Sequence, residues 1–369
     1  MGVPLRQQIT VGTYLLKQKL MGVKKYPLVL MLEPLFRCNL ACAGCGKIDY
    51  PDEILDKRLS YEECMQAVDE CGAPMVSIPG GEPLIHKEMP QIVAGIIARR
   101  KYVYLCTNAL LLKKKIGDYT PSPYLTFSIH LDGMKERHDA SVCQDGVFDR
   151  AVEAIKLCVE RGFRVTINCT LFQGETPDDV AEFLDYAMSL GVEGATIAPG
   201  FSYERAPRQD IFIKGQDTKK LFRGIFEIGR KKRNWKLNHS TLYLDFLAGN
   251  QSYECTPWGN PTRNVFGWQK PCYLLPDEGY AATFKELLED TPWDKYGNSS
   301  NPKCAQCMAH CGYEATAVED TLQHPFKALI ASIRGPRTTG PMVAEPTPKW
   351  MTEDRKSRPT IGGIPVRVE

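Results

Sequence analysis

The chain has 369 residues, enough for two domains or for one large α/β domain with an appendage. Its net charge of +2 gives no overall case for nucleic-acid binding, and no apolar run reaches the roughly 18 residues of a transmembrane helix. The N-terminus lacks the apolar core of a signal peptide. The 14 cysteines are therefore typical of a reducing compartment, where clustered thiols more often bind metal than form disulfides. We expect a cytoplasmic protein.

Residues 1–27 have the pattern of a basic, amphipathic helix. The first 25 residues hold five basic side chains and no acidic one. Leu5, Ile9, Leu16 and Leu20 recur at helical spacing and share one face. Two interpretations are open: a helix packed on the body of the protein, or an interfacial helix that contacts anionic lipid from the inner face of the membrane.

From residue 28 the chain alternates between two patterns. Apolar, β-rich runs lie at 28–35, 75–79, 102–107, 124–131, 163–171 and 193–199. Stretches of helical period lie at 60–71, 86–100, 109–116, 147–161, 177–190 and 217–229. Repeated strand–helix units predict parallel βαβ crossovers, hence an α/β fold with a partial (β/α)6 barrel over residues 28–230. In barrels the chemistry lies at the C-terminal ends of the strands.

Composition changes after residue 230. Residues 231–330 are rich in aromatic residues, proline and cysteine, and their periodicity fades, which predicts a smaller, irregular, cysteine-rich C-terminal domain. Residues 331–369 are rich in proline and carry scattered charge, as in a flexible or surface-draped tail.

Three cysteines follow the first predicted strand. Cys38, Cys42 and Cys45 have the spacing C-x3-C-x2-C. A [4Fe–4S] cluster usually takes four cysteines, so a set of three leaves one iron open to another ligand. The alternatives are a zinc site or buried thiols without metal.

A second group of cysteines lies near the end of the C-terminal domain. Its members are Cys304, Cys307 and Cys311, with Cys272 preferred to Cys255 as a fourth ligand. Soft thiolates at this spacing suit an auxiliary iron–sulfur cluster or zinc. His310 is an alternative zinc ligand, and a site without metal also remains open.

The triad and the turn Pro79-Gly80-Gly81-Glu82-Pro83 together resemble the radical S-adenosylmethionine (SAM) superfamily over residues 28–230. The resemblance implies that the triad holds a [4Fe–4S] cluster and that SAM fills the open iron. It also implies an electron donor of the flavodoxin or ferredoxin type. Gly44 departs from the pattern, because many members carry an aromatic residue there, and this puts the shielding of the cluster in question.

The same resemblance implies SAM contacts at the strand ends. Glycines allow a backbone to approach a ligand closely, and Glu82 or nearby carbonyls can accept from the SAM ammonium. Ser128 matches a position that contacts the ribose or carboxylate, and His130 is either a cavity residue or a core histidine. The implied set is Gly80, Gly81, Glu82, Asn108, Ser128, His130 and Asn168.

Cys106 ends the third predicted strand, at the lumen end of a barrel strand. A free cysteine is most often a small buried hydrophobe. Here it is also a candidate catalytic residue, because its weak S–H bond can give a hydrogen atom to a carbon radical. That role would fix the stereochemistry of the product.

Nearly the whole chain resembles the hopanoid-biosynthesis branch of the superfamily. The shared strings include IPGGEPLIHKEM, YLCTNALLL, FSIHLDG and CMAHCGYE. The resemblance implies that SAM is consumed and that its 5′-deoxyadenosyl radical adds to the terminal alkene of diploptene, a triterpene lipid. Two rivals stay open: a radical SAM enzyme that abstracts hydrogen from a peptide or other substrate, and a non-enzymatic iron–sulfur or zinc scaffold.

Overall fold

The computed structural model describes residues 2–201, 205–232, 234–344 and 348, and the strand pairing at 360–361 and 364–365. The strands are β1 (Val29–Glu33), β2 (Met75–Ile78), β3 (Tyr102–Thr107), β4 (Leu125–His130), β5 (Arg164–Leu171), β6 (Gly194–Pro199), β7 (Thr262–Asn264), β8 (Gly267–Gln269), β9 (Tyr280–Ala281), β10 (Thr360–Ile361) and β11 (Ile364–Pro365). The helices are α1 (Leu5–Leu20), α2 (Asp52–Leu55), α3 (Tyr61–Cys71), α4 (Met89–Ala98), α5 (Leu112–Lys115), α6 (Lys135–Ser141), α7 (Val147–Glu160), α8 (Pro177–Ser189), α9 (Gly215–Gly229), α10 (Thr241–Leu247), α11 (Phe284–Asp290), α12 (His310–Gln323) and α13 (Pro325–Arg334).

The main sheet has the strand order β6-β5-β4-β3-β2-β1-β7-β8-β9. Strands β1 to β6 pair in parallel, each with the next along the chain, as right-handed βαβ units require. Each of them lies within one of the six predicted runs, so the predicted partial barrel is confirmed. The register places Cys106 beside Ser128 and His130 beside Asn168, which brings the predicted site residues to one end of the sheet.

One predicted helix is much shorter than its pattern. The periodicity of residues 109–116 predicts a helix, but α5 has only four residues and passes into a 3-10 turn at Ile116–Asp118. Ala109 has φ +66°, a left-handed conformation that cannot begin an α-helix. The chain turns sharply there because it must leave the end of β3.

The cysteine-rich segment continues the barrel sheet. Strand β7 pairs in parallel with β1, and β8 and β9 follow it antiparallel. The sheet therefore runs across the domain boundary predicted at residue 230. The boundary predicted at residue 330 falls inside α13, while the tail beyond residue 344 lies outside the described residues apart from residue 348 and the β10–β11 pair.

Helix α1 packs with one face on the barrel and leaves the other exposed. Gln7 is 2% exposed, and its side-chain amide donates a 2.8 Å hydrogen bond to the Tyr104 hydroxyl at the start of β3. Leu15 is buried in a small cluster with Tyr26 and Leu28. The opposite face carries the predicted apolar stripe, whose members are 58–80% exposed: Leu5, Ile9, Leu16 and Leu20. Among the residues that the structure describes, no helix is long and apolar enough to cross a membrane.

Candidate functional site

The cysteine triad lies in the long loop between β1 and α2. The loop is fixed by backbone hydrogen bonds, including Cys45 N–H to the Cys42 carbonyl at 3.2 Å and Ala43 N–H to the Ser141 carbonyl at 3.0 Å. Burial raises the pKa of the Cys38 thiol to about 11, and burial also raises the pKa values of Cys42 and Cys45. Cys38 and Cys42 pack against the same small cluster of Leu40, Val142 and Val147, and the charges of Cys38 and Cys45 raise the pKa of Cys42 further. Thiolates so placed need a cation between them, and a soft metal cluster fits this donor set.

The Gly80-Gly81-Glu82 turn is bonded directly to this loop. Gly81 N–H donates to the Leu35 carbonyl at 2.9 Å, and Glu82 N–H donates to the Arg37 carbonyl at 3.0 Å. A Cβ on Gly81 would stand 2.2 Å from the Phe36 carbonyl oxygen, so no larger residue fits without moving backbone. The glycine therefore lets two backbone segments meet just before Cys38.

The Glu82 carboxylate is buried and serves as a junction. It is 1% exposed and accepts hydrogen bonds from the Thr107 hydroxyl at 2.8 Å, Asn108 N–H at 2.9 Å and Leu84 N–H at 3.0 Å. Burial raises the pKa of Glu82 to about 7 despite these donors. The carboxylate thus ties the turn after β2 to the end of β3. Its contact with SAM stays a prediction, and its internal partners favour a positioning role.

Asn108 continues the junction into the cysteine loop. Its side-chain amide donates to Asn39 Oδ1 at 2.8 Å and lies 3.8 Å from Cys38 Sγ, while its Oδ1 accepts from Leu110 N–H at 3.1 Å. The end of β3 is therefore held next to the first cysteine. Asn108 thus lies beside the triad, and its contact with SAM stays a prediction.

The end of β4 carries a buried ion pair. His130 Nε2 lies 2.8 Å from Asp132 Oδ1, and Asp132 also accepts from Thr170 N–H at 2.8 Å and the Ser141 hydroxyl at 2.9 Å. Burial alone would lower the pKa of His130, but the Asp132 carboxylate raises it above its ordinary value. Asn168 pairs with His130 in register on β5. The Asp132 carboxylate therefore orients the His130 side chain, which is 25% exposed, at the mouth of the barrel.

Cys106 lies among hydroxyl groups inside the barrel. Its Sγ is 3.5 Å from the Ser77 hydroxyl on β2, and Ser128 stands beside it on β4. Burial raises the pKa of the Cys106 thiol, so the S–H form dominates at neutral pH. Cys106 precedes Asn108, the residue that contacts Cys38, by two residues at the end of β3, a separation of about 7 Å for extended backbone.

Phe172 supplies the aromatic ring that the sequence lacks at Gly44. A Cβ on Gly44 would stand 2.9 Å from the Phe172 ring, and a Cβ on Gly200 would stand 2.8 Å from the same ring. The ring, which is 9% exposed, lies between the two glycines at the end of β5. In the sequence, this packing is signalled only by two glycines and an aromatic residue that lie far apart along the chain. The apolar cover beside the triad thus comes from another strand.

Sequence reasoning also missed a buried ion pair beside Cys45. Lys47 Nζ lies 2.9 Å from Glu33 Oε2 at the end of β1, and both residues are buried. Lys47 lowers the pKa of Cys45 and so opposes the effect of burial. The ammonium also lies 5.9 Å from the ring of Tyr273, the residue after Cys272. This pair connects the cysteine loop to the cysteine-rich segment.

Five cysteines come together in the C-terminal segment: Cys255, Cys272, Cys304, Cys307 and Cys311. Burial raises the pKa of Cys255 well above its ordinary value, and the charges of the other four raise it further. A Cβ on Gly312 would stand 2.3 Å from Cys255 Sγ, so a glycine is needed for this thiol to approach α12. Both candidate fourth ligands are therefore present, and the preference for Cys272 stays a prediction. The donor set fits one auxiliary cluster.

Two family models match the chain. Residues 32–187 match the radical SAM superfamily, and residues 195–331 match a domain of unknown function, DUF3463. The GTP 3′,8-cyclase of Clostridium perfringens (strain SM101) is 29% identical over 157 residues, which are 41% of this chain and 49% of that enzyme. The GTP 3′,8-cyclase of Listeria monocytogenes serotype 4b is 26% identical over 255 residues, which are 66% of this chain and 67% of that enzyme. The chain thus spans about half the length of the first relative.

The fold is also similar to that of a solved structure. Streptococcus suis SuiB, in a crystal structure with the precursor peptide SuiA, superposes with a TM-score of 0.61 over 80% of this chain and 73% of SuiB. The sequence identity is 16%, so the similarity is one of fold.

Replacement of Gly81 tests the junction between the turn and the cysteine loop. Gly81→Ala places a methyl group within 2.2 Å of a carbonyl oxygen, which forces the loop away from the turn. We expect a melting temperature lower by several degrees and less than half the iron of the wild type after anaerobic reconstitution. Gly117→Ala is the matched control, because a Cβ there meets no atom within 4 Å. Equal iron content in the two variants would contradict the assignment.

Proposed function

We propose that this chain, a radical SAM enzyme that uses a [4Fe–4S] cluster and SAM, is an adenosyltransferase that acts on diploptene. It joins C5′ of the adenosyl group to the terminal alkene carbon and yields adenosylhopane in hopanoid biosynthesis. The observation that carries this proposal is the position of the Cys106 thiol inside the barrel, 3.5 Å from the Ser77 hydroxyl and two residues before Asn108, which contacts Cys38. The resemblance of nearly the whole sequence to the hopanoid branch supports the choice of substrate.

The chain prepares the site by holding its ligands in place. When bound at Cys38, Cys42 and Cys45, the cluster supplies the electron that splits SAM into methionine and the 5′-deoxyadenosyl radical. The Gly81 and Glu82 junction fixes the position of the cysteine loop relative to β3. The barrel walls exclude water and other hydrogen donors, and they hold the alkene close to the radical carbon.

Cys106 is the catalytic residue that ends the reaction. Addition to the alkene forms one carbon–carbon bond and leaves a tertiary carbon radical on the lipid. The Cys106 S–H bond breaks as its hydrogen atom moves to that carbon, and a thiyl radical remains on the sulfur. One electron from a flavodoxin- or ferredoxin-type donor and one proton restore the thiol, so each turnover consumes one SAM, one alkene, two electrons and one proton.

A protonated thiol suits this role better than a thiolate. The hydrogen atom must come from an S–H bond, and burial holds the pKa of Cys106 above its ordinary value. The Ser77 hydroxyl lies 3.5 Å from the sulfur on one side and Ser128 lies on the neighbouring strand. Because the thiol is fixed to one wall of the barrel, hydrogen reaches the carbon radical from one face only.

The outer face of α1 supports a membrane-dissolved substrate. Its apolar stripe is exposed, and Lys17 and Lys19 flank it in the last turn. Such a helix lies in the interface of an anionic bilayer with its apolar face in the acyl boundary. The inner face of the same helix contacts β3 through Gln7, so docking would bring the barrel next to the membrane surface.

The relatives suggest a second class of reaction. The names of the matched relatives denote cyclisation of GTP, and SuiB was crystallised with a peptide. Hydrogen abstraction, the rival reaction, would release free 5′-deoxyadenosine and would leave no adenosyl group on the product.

The product of the reaction distinguishes the two classes. Anaerobically reconstituted protein is incubated with SAM, a reductant and diploptene, and the lipids are analysed by mass spectrometry. We expect one adduct with the mass of diploptene plus an adenosyl group and one hydrogen, because the radical is joined to the substrate. Release of 5′-deoxyadenosine without this adduct would refute the addition mechanism.

Cys106→Ala isolates the final hydrogen transfer. We expect the variant to form carbon–carbon adduct but to give mixed stereochemistry or side products at the quenched carbon, because hydrogen then arrives from solvent or reductant. Chiral chromatography or NMR of the product measures the ratio. Cys158→Ala, which removes a buried thiol from α7, is the control. A single stereoisomer from Cys106→Ala at the wild-type rate would remove Cys106 from the reaction.

Polar replacement of the exposed stripe tests membrane docking. The double variant Leu16→Gln and Leu20→Gln removes two side chains that are 58% and 80% exposed, so its fold should be preserved. We expect at least a fivefold loss of flotation with phosphatidylglycerol vesicles, because about 3 kcal/mol of apolar insertion is lost. Gln18→Ala on the same helix is the control. Unchanged flotation of the double variant would show that this face does not bind lipid.

A further inference from the structure

A further donor cluster lies next to the C-terminal cysteine group and includes His310, the residue before Cys311. His239 follows a short backbone bridge between Ala195 of β6 and Leu237. His310 and Glu314 stand four residues apart in the first turns of α12 and therefore share one face of that helix. One ligand atom from each of the three side chains lies within 4.8 Å of the other two. The cluster thus joins the edge strand of the barrel to the helix that carries Cys311.

One nitrogen of each histidine lies near the same carboxylate oxygen of Glu314. His239 Nδ1 lies 3.7 Å from Glu314 Oε2, and His310 Nε2 lies 3.8 Å from the same oxygen. The His239 side chain is 0% exposed, and its Nδ1 has no hydrogen-bond partner among the described residues. Glu314 Oε2 is likewise buried and without a hydrogen-bond partner in that part of the chain. Buried polar atoms without partners are costly, so a group between them would offset that cost.

The other atoms of the two buried residues are already fixed. His239 Nε2 lies 2.9 Å from the Ile197 carbonyl and 3.1 Å from Ile197 N–H, and in the tautomer that is protonated at Nε2 it donates to the carbonyl and leaves a lone pair on Nδ1. Glu314 Oε1 accepts from Ser240 N–H at 2.7 Å, which leaves Oε2 for another partner. Metal-binding histidines and carboxylates are commonly oriented in this way by their second atoms. With the hydrogen on Nε2, the arrangement resembles a prepared ligand set.

We propose that His239 Nδ1, His310 Nε2 and Glu314 Oε2 bind one divalent first-row transition ion. Donors that bind such an ion at about 2.0–2.1 Å are about 3.0–3.4 Å apart, so the two nitrogen–oxygen distances of 3.7 and 3.8 Å need to shorten by about 0.3–0.8 Å. Two imidazoles and one carboxylate suit zinc, iron(II) or manganese, in contrast to the all-thiolate group nearby. His310 is 37% exposed on its side chain, which leaves an entry path and an open position.

The proposed ion would link helix α12 to strand β6. It fastens the first turns of α12 to the edge of the barrel at β6, and Cys311 lies in that same turn. The site therefore sets the position of one thiol of the auxiliary group without contributing to that group's ligands. The inference does not depend on the reaction proposed above.

Metal content tests the site directly. Full-length protein is reconstituted anaerobically with iron and sulfide, dialysed against zinc chloride, desalted and analysed for zinc, iron and sulfide. We expect wild type to hold one more equivalent of zinc than Glu314→Gln or His239→Ala, with equal iron and sulfide in all three. Glu314→Gln is nearly isosteric and retains an oxygen for Ser240 N–H, so it separates loss of the metal from loss of the fold.

A control and a second measurement complete the test. His324→Ala removes an exposed histidine that pairs with Asp320 on the far end of α12, and it should keep the extra zinc. X-ray absorption at the zinc edge should show nitrogen and oxygen neighbours at about 2.0–2.1 Å. Equal zinc in wild type and Glu314→Gln, or a sulfur shell at about 2.3 Å, would overturn the proposal.

Discussion

The junction between the Gly80–Glu82 turn and the cysteine loop is the constraint on which the rest of the site depends. Two backbone hydrogen bonds join the segments just before Cys38, and a Cβ on Gly81 would not fit between them. The buried Glu82 carboxylate extends the junction to the end of β3 through three donors. Burying a carboxylate is unfavourable, and the three hydrogen bonds offset part of that cost while they hold three segments of the chain together. The cysteines and Cys106 are consequently positioned by the same network.

This shared network links the start and the end of the proposed reaction. Asn108 follows β3 and contacts both Glu82 and the Cys38 sulfur, while Cys106 lies two residues earlier, within β3. A shift of β3 would therefore move the hydrogen donor and the cysteine loop together. Phe172 and the Lys47–Glu33 pair close the remaining sides of the loop with an aromatic ring and a buried charge. The contacts around the cysteine loop therefore come from residues at the ends of several different strands.

The six strands and the cysteine triad could be predicted from the sequence because their signals are local. Apolar runs and the C-x3-C-x2-C spacing depend on neighbours within a few residues. The partners of Glu82, the packing of Phe172 on Gly44 and the pairing of β7 with β1 depend on contacts between distant segments. Short strands such as β7 carry too few residues for a periodic pattern. The turn at Ala109 was missed because alanine ordinarily favours a helix and its φ is imposed by the end of β3.

The origin of the hydrogen at the quenched carbon tests the central claim most directly. In D2O the thiol of Cys106 exchanges its proton, whereas carbon-bound hydrogens of SAM and of the lipid do not. A reaction in D2O with unlabelled SAM and diploptene should therefore give an adduct with one deuterium at the tertiary carbon next to the new bond, located by NMR and seen as a mass increase of one unit. An adduct without deuterium at that carbon would show that the hydrogen comes from a C–H bond and would contradict transfer from a thiol.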